Sequence, residues 1–234
     1  MSQPKSFVIV VLAVFALGAV AAGSAFAARG EKTPEMNPIG SFTDQTVGTN
    51  EFVGKGLLGE EKVKCPDALS TGGFQASLLG TFDILFSGCS FEELAKVFTC
   101  AGLNDTSSSS VLWLGTFHLR YQGSAHTTAV LAYLIIPVHF TCKTSGLEAL
   151  IEVKGCAAGQ IGPTNVVIKL PQSFVNTLKA TGVKNEITTI ENEAGTGEES
   201  CKLEAKEGTG AFAEASVVAT DHIYPLTAAS EIIT

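Results

Sequence analysis

VLWLGTFHLRY, from Val111 to Tyr121, sets Trp113, Phe117, Leu119 and Tyr121 on one side of an extended chain and Thr116, His118 and Arg120 on the other. A period of two is the pattern of a strand with one buried and one polar face, and no helix produces it. After a turn at Gly123-Ser124, the stretch TAVLAYLIIPVHFTC (Thr128 to Cys142) carries Val130, Ala132, Leu134, Ile136, Val138 and Phe140 on one face. Its second face holds Leu131, Tyr133 and Ile135. A strand apolar on both faces is expected to be covered on both sides and central in its sheet. Pro137 lacks an N–H and implies a bulge or a free edge at that point.

The same period extends outward in both directions. Phe74 to Phe86 reads as one half-buried strand, apolar at its even positions, with Gly80 permitting a bend. Leu147, Ala149, Ile151 and Val153 alternate with charged residues, and Thr164 to Leu170 reads as a strand after the Gly162-Pro163 break. Phe174 to Ala180 fits either a strand or a short helix ending at Gly182. Cys201 to Lys206 and Phe212 to Tyr224 are the last extended stretches. One helix is expected: Ser90 and Glu93 form a capping box, with Phe91, Leu94, Ala95 and Phe98 on one face. The expectation is an all-β fold of about nine to ten strands, an antiparallel sandwich or barrel with one short helix. Residues 28–50 read as an extended lead-in and 51–234 as a single domain.

The chain has 234 residues, 15 Lys and Arg against 23 Asp and Glu, and a net charge of −8. That balance excludes a nucleic-acid partner, which needs a basic stripe or patch. With 45% hydrophobic and 16% charged residues, the chain also falls outside the disordered class.

At the N-terminus, Lys5 precedes FVIVVLAVFALGAV (Phe7 to Val20), and Ala25-Phe26-Ala27 offers the small-x-small pattern of a signal-peptidase site. Residues 1–27 therefore read as a signal peptide cleaved before Ala28, placing the protein outside the cell or in its envelope with no membrane insertion thereafter. The alternative is a retained leader acting as a membrane anchor. All six cysteines, Cys65, Cys89, Cys100, Cys142, Cys156 and Cys201, follow that segment. An even count in an oxidising compartment implies three disulfides, and no spacing suits a metal site. The pairing stays open among about fifteen possibilities. A full helix after Ser90 would hold Cys89 and Cys100 about 15 Å apart, too far to bridge.

Phe140-Thr141-Cys142, Leu150 to Cys156 (LIEVKGC), Gln160 to Asn165 (QIGPTN) and Gly210 to Ala215 (GAFAEA) together resemble a segment of exported β-rich proteins of soil actinobacteria. The resemblance covers the second half of the chain. It implies secretion and a bacterial source, and it carries over no activity and no functional residue.

No zincin, serine-hydrolase, P-loop or dinucleotide motif is present in the sequence. The catalytic candidates are His118, Arg120 and Asp83, which could stand together at the mouth of a barrel as acid, base and anion clamp; the competing reading is a solvated strand face with a cross-strand ion pair. The acidic run Glu191, Glu193, Glu198, Glu199 reads as a solvated loop rather than a calcium site. Asn104-Asp105-Thr106 is a glycosylation sequon, incidental in a bacterium. With 14 Phe, one Trp and three Tyr, the aromatic supply suits packing more than sugar stacking. No cofactor is expected. The leading expectation is a non-enzymatic binding or structural module facing a cell-envelope component, and the alternative is a small-ligand barrel, carrier or enzyme.

Overall fold

The computed structural model describes residues 34–56, 59–93, 96–102, 109–123, 126–226 and 229–234, and every regular element among them is a strand. The leader expected over 1–27 and the sequon at Asn104 lie outside the described residues. The first half holds β1 (Glu35–Asn37), β2 (Ser41–Thr46), β3 (Asn50–Gly56), β4 (Gly59–Cys65), β5 (Asp67–Ala76), β6 (Leu79–Ser87), β7 (Ser90–Glu93), β8 (Lys96–Gly102) and β9 (Val111–Tyr121). The second half holds β10 (Ala129–Thr144), β11 (Leu147–Gly162), β12 (Phe174–Leu178), β13 (Ala180–Thr181), β14 (Lys184–Asn185), β15 (Thr189–Glu191), β16 (Glu198–Ser200), β17 (Leu203–Glu207), β18 (Ala213–Pro225) and β19 (Glu231–Ile233).

Thirteen of these strands form one antiparallel sheet whose hydrogen bonding closes on itself twice. One circuit runs β2, β5, β6, β9, β10, β11, β12, β18 and returns to β2. The other runs β3, β4, β7, β8, β10, β11, β17, β18 and returns to β3. The three longest strands, β10, β11 and β18, belong to both. The first part of β10 pairs with β9 and its last part with β8. Likewise Ser216–Val218 of β18 pair with β3, and Asp221–Pro225 pair with β2.

The switch along β10 falls where the β10–β11 register slips, between Ile135 and Val138. Pro137 has no amide to give the ladder there, so the expected bulge is present. Because a bulge resets the two-residue alternation, Leu131, Tyr133 and Ile135 join the main core before it, and Val138, Phe140 and Cys142 after it. Gly155, opposite Ile135, has φ +107°, and a β-carbon there would run into the Lys202 carbonyl.

Phenylalanines fill the interior. Phe117 packs against Phe74 (ring centroids 4.7 Å) and Phe42 (5.4 Å), its ring occupying the space a side chain at Gly80 would need. Phe52 meets Trp113 at 4.6 Å and Phe86 at 4.9 Å. A second small core of Val130, Ala132, Cys156, Ala158, Ile187, Ile190 and Cys201 lies on the opposite face of β10 and β11, where the β15–β16 segment covers it. This explains the two apolar faces of β10.

The disulfides are Cys65–Cys89, Cys100–Cys142 and Cys156–Cys201. Three bridges fit an oxidising compartment. The first two join cross-strand neighbours, with Cα atoms 4.1 and 3.9 Å apart. The Cys100 amide also donates to the Cys89 carbonyl at 2.9 Å, so four cysteines form one row across the strands of the second circuit. Among the described residues no helix is long and apolar enough to cross a membrane.

Five expectations are corrected, the first being the count of about nine to ten strands, where the described residues hold nineteen, thirteen of them in the main sheet. The helix expected after Ser90 is the β7–β8 hairpin, in which Phe91 and Phe98 are register partners with rings stacked at 4.4 Å. A two-turn helix is marginal alone, and the hairpin buries the same rings while feeding two disulfides into the sheet. Phe74–Phe86 is two strands with a turn at Ser77-Leu78, and the irregularity lies between Phe74 and Ala76 rather than at Gly80. Thr164–Leu170 makes only an isolated bridge, Ile168 to Ser230, in place of a strand. The lead-in expected over 28–50 supplies β1 and β2, with Met36 and Phe42 in the core.

Phe117 is fully buried, so Phe117→Ala is expected to cost about 3–5 kcal/mol, read as a drop in the denaturant midpoint at unchanged m-value.

Candidate functional site

Polar groups converge inside the first circuit. On β18, Asp221 shares the inward side with Val217, Ala219 and Ile223. On β2, Asp44 shares it with Phe42. The register pairs Asp221 with Thr46 and Ile223 with Asp44, so the two acids stand diagonally on neighbouring strands of one face. Asp44 is 3% exposed and Asp221 7%. Ser70 of β5 lies opposite Asp44, and Asn176 of β12 lies opposite Asp221. The Thr46 hydroxyl donates to Asp221 Oδ1 at 2.9 Å.

No cationic side chain among the described residues balances this pair. Among the described residues the buried cation is Arg120, which stands on the opposite face of the sheet. Burial pushes the Asp44 carboxyl up to about 7, and the Asp221 charge adds to this against the pull of Ser70. Burial likewise raises Asp221 to about 6, opposed by the hydrogen bond from the Thr46 hydroxyl. The Tyr133 phenol is held well above its usual range by burial, then by Asp221 and Asp44. Two like charges side by side in a dry interior cannot both persist, so near neutral pH the pair shares a proton.

Asn176 fixes the direction of the network. Every polar atom of its amide is satisfied when Nδ2 donates to the carbonyls of Gly159 and Gln160, each at 3.2 Å, and Oδ1 accepts from the Tyr133 hydroxyl at 3.1 Å.

The residues singled out in the sequence lie elsewhere. His118 and Arg120 share the outer face of β9, where an Arg120 N–H donates to His118 Nδ1 at 2.8 Å. That bond leaves the His118 proton on Nε2. Burial, then the Arg120 charge, lower His118 to about 4, with Glu193 opposing, so it is neutral at pH 7. Strands β6 and β9 are neighbours, but Asp83 opposes Leu114 while His118 opposes Leu79. Four residues of strand, about 13 Å, separate Asp83 from His118. Asp83 instead accepts from the Thr71 amide at 3.2 Å and from the Thr71 hydroxyl. The structure thus brings His118 and Arg120 together, leaves Asp83 apart, and turns all three away from the interior.

Part of the acidic run is also folded in. Glu191 is buried with Oε1 3.3 Å from His126 Nε2, and it pairs with Glu198 across the β15–β16 hairpin. His126 stacks on Tyr121 at 5.3 Å. Among the described residues no three His, Cys, Asp or Glu side chains gather as metal ligands.

Two small cavities interrupt the interior. One of about 50 Å³ lies among Phe52, Val63, Phe140 and Leu203 in the second circuit. The other, about 30 Å³, touches Asp221, Tyr133, Asn50 and Trp113. Neither has room for an organic ligand, while the acid pair can hold and exchange a proton. Compared with protein-family models, curated proteins and solved structures, the chain matches none.

The acid pair ties stability to pH. Folding raises both groups above their ordinary value of 3.8, so the folded chain binds more protons than the unfolded one between pH 4 and pH 7. The stabilisation is fully present below pH 4 and is lost progressively as pH rises from 4 through the folded-state values of about 6 and 7. Denaturant midpoints of Asp44→Asn and Asp221→Asn, measured against wild type across this range, are expected to show a flatter pH profile and a gain over wild type at pH 8.

Proposed function

We propose that this protein is an exported, disulfide-braced β-barrel that acts as a non-enzymatic binding or structural module, meeting a cell-envelope component through its outer face. The closed strand circuits support a barrel over an open sandwich. The Phe-filled interior supports a surface contact rather than a ligand held inside, which counts against the small-ligand carrier or enzyme. Three bridges together with the apolar leader support export.

The observation that carries the reading is a row of leucines on the outer face. Leu69, Leu85 and Leu112 are direct register partners on β5, β6 and β9, and are 59%, 44% and 47% exposed. Leu114 extends the row along β9. Aliphatic side chains aligned across three paired strands form a contiguous apolar patch, of the kind that marks a contact surface. The net charge of −8 favours a partner that is neutral or apolar where it touches, not an anionic polymer.

The test is cosedimentation of the purified protein with washed cell envelopes of the native host. The triple variant Leu69→Ser, Leu85→Ser, Leu112→Ser is expected to bind at least about tenfold more weakly while its melting temperature stays within a few degrees of wild type, since exposed positions carry little stability. Equal binding by the variant overturns the surface assignment. A turnover found in a broad substrate screen and lost on a point mutation overturns the non-enzymatic reading.

A further inference from the structure

The cavity of about 30 Å³ lies where β10 and β18 pass from one circuit to the other, and most of its wall is apolar, including Phe82, Phe86, Ala157 and Val217. Two residues of that wall carry unsatisfied polar atoms. Asn50 is fully buried and its Nδ2 donates to the Cys65 carbonyl at 3.3 Å, but its Oδ1 has no partner among the described residues. Trp113 is buried as well, and its indole Nε1 has no acceptor among the described residues. Asp221 and the Tyr133 ring complete the lining.

These atoms specify the occupant. Asn50 Oδ1 needs a donor and Trp113 Nε1 needs an acceptor. A bare cation would leave the indole unsatisfied, and an anion would be repelled by Asp221 and by Asn50 Oδ1. Only a neutral species that both donates and accepts serves both. The volume admits about two water molecules and nothing larger. We propose that this cavity is a built water site, whose waters bridge Asn50 Oδ1 and Trp113 Nε1 to the Asp221 carboxyl and so join the acid pair to the centre of the fold. The inference rests on the interior geometry alone and is independent of the surface reading above.

The protonation of the pair then becomes visible at the indole. The groups facing the pair are Asp44 and Thr46 from β2, Ser70 from β5, Tyr133 from β10, Asn176 from β12 and Asp221 from β18. Strands β6 and β11 bring only apolar side chains to the cavity, and Asp83 acts on Asp44 through the sheet from its outer side. Tyr133 stays protonated throughout, so between pH 5 and pH 8 the titration in this interior belongs to Asp44 and Asp221. Trp113 is the single tryptophan of the chain, so its indole resonance is unambiguous.

The experiment is NMR of the ¹⁵N-labelled protein together with a high-resolution crystal structure. The expected result is a cross-peak between the indole N–H and long-lived water, and an indole shift that follows one step between pH 6 and pH 7 and vanishes in Asp221→Asn. The crystal is expected to show density within hydrogen-bond distance of both Asn50 Oδ1 and Trp113 Nε1. A cavity without density, with an indole that sees no water and does not respond to pH, overturns the proposal. So does a density peak ringed by oxygens at about 2.3–2.6 Å, which would identify a bound cation.

Discussion

The structure depends on one break in one ladder. Where Pro137 withholds its amide, the β10–β11 pairing slips, and the inward side of β10 changes from odd to even residues. Without that slip, Val138, Phe140 and Cys142 would turn outward and the Cys100–Cys142 bridge would have no inward partner. The slip lets strands of 16 residues remain continuous while serving two circuits with different neighbours at each end. Gly155 stands opposite because only a residue lacking a β-carbon passes so close to the Lys202 carbonyl.

Closure of the ladders brings a constraint of its own. A sheet without long free edges protects its backbone groups but surrounds whatever its inward side chains carry. Most of those side chains are phenylalanine and aliphatic residues, which pack without polar demands. Asp44 and Asp221 are the exception: a closed interior gives them no solvent and no counter-charge, so they keep a proton near neutral pH. Tyr133, Asn176, Thr46 and Ser70 surround them with hydroxyl and amide groups, and these settle which atom donates and which accepts.

How much of this was legible in the sequence follows from how local each feature is. Alternation along Val111–Tyr121 and Thr128–Cys142, and the bulge at Pro137, belong to single strands and were readable. So was the parity of six cysteines, though not their pairing, which depends on register between strands far apart in sequence. Phe91, Leu94, Ala95 and Phe98 satisfied a helical spacing and a hairpin equally well, and the sheet decided between them. The acid pair is not legible in the sequence because Asp44 lies in a stretch with no clear alternation, and its partner is 177 positions away (221 − 44). Yet a signal was present: Asp221 occupies the same phase as Val217, Ala219 and Ile223, and a charged residue in an apolar phase marks a buried ionisable group. His118 and Arg120, by contrast, sat in the polar phase and face outward accordingly.

The pairing of β1 with β19 has a mechanical consequence. Glu35 and Ile233 form the outer rung of this clasp, with Met36–Ile232 and Asn37–Glu231 behind it. A load applied between residues 34 and 234 therefore opens these rungs one after another, as a zipper, rather than shearing them together. The strand ladders of the main sheet lie behind this short clasp, and parting Met36 from Ile232 withdraws both side chains from the main core.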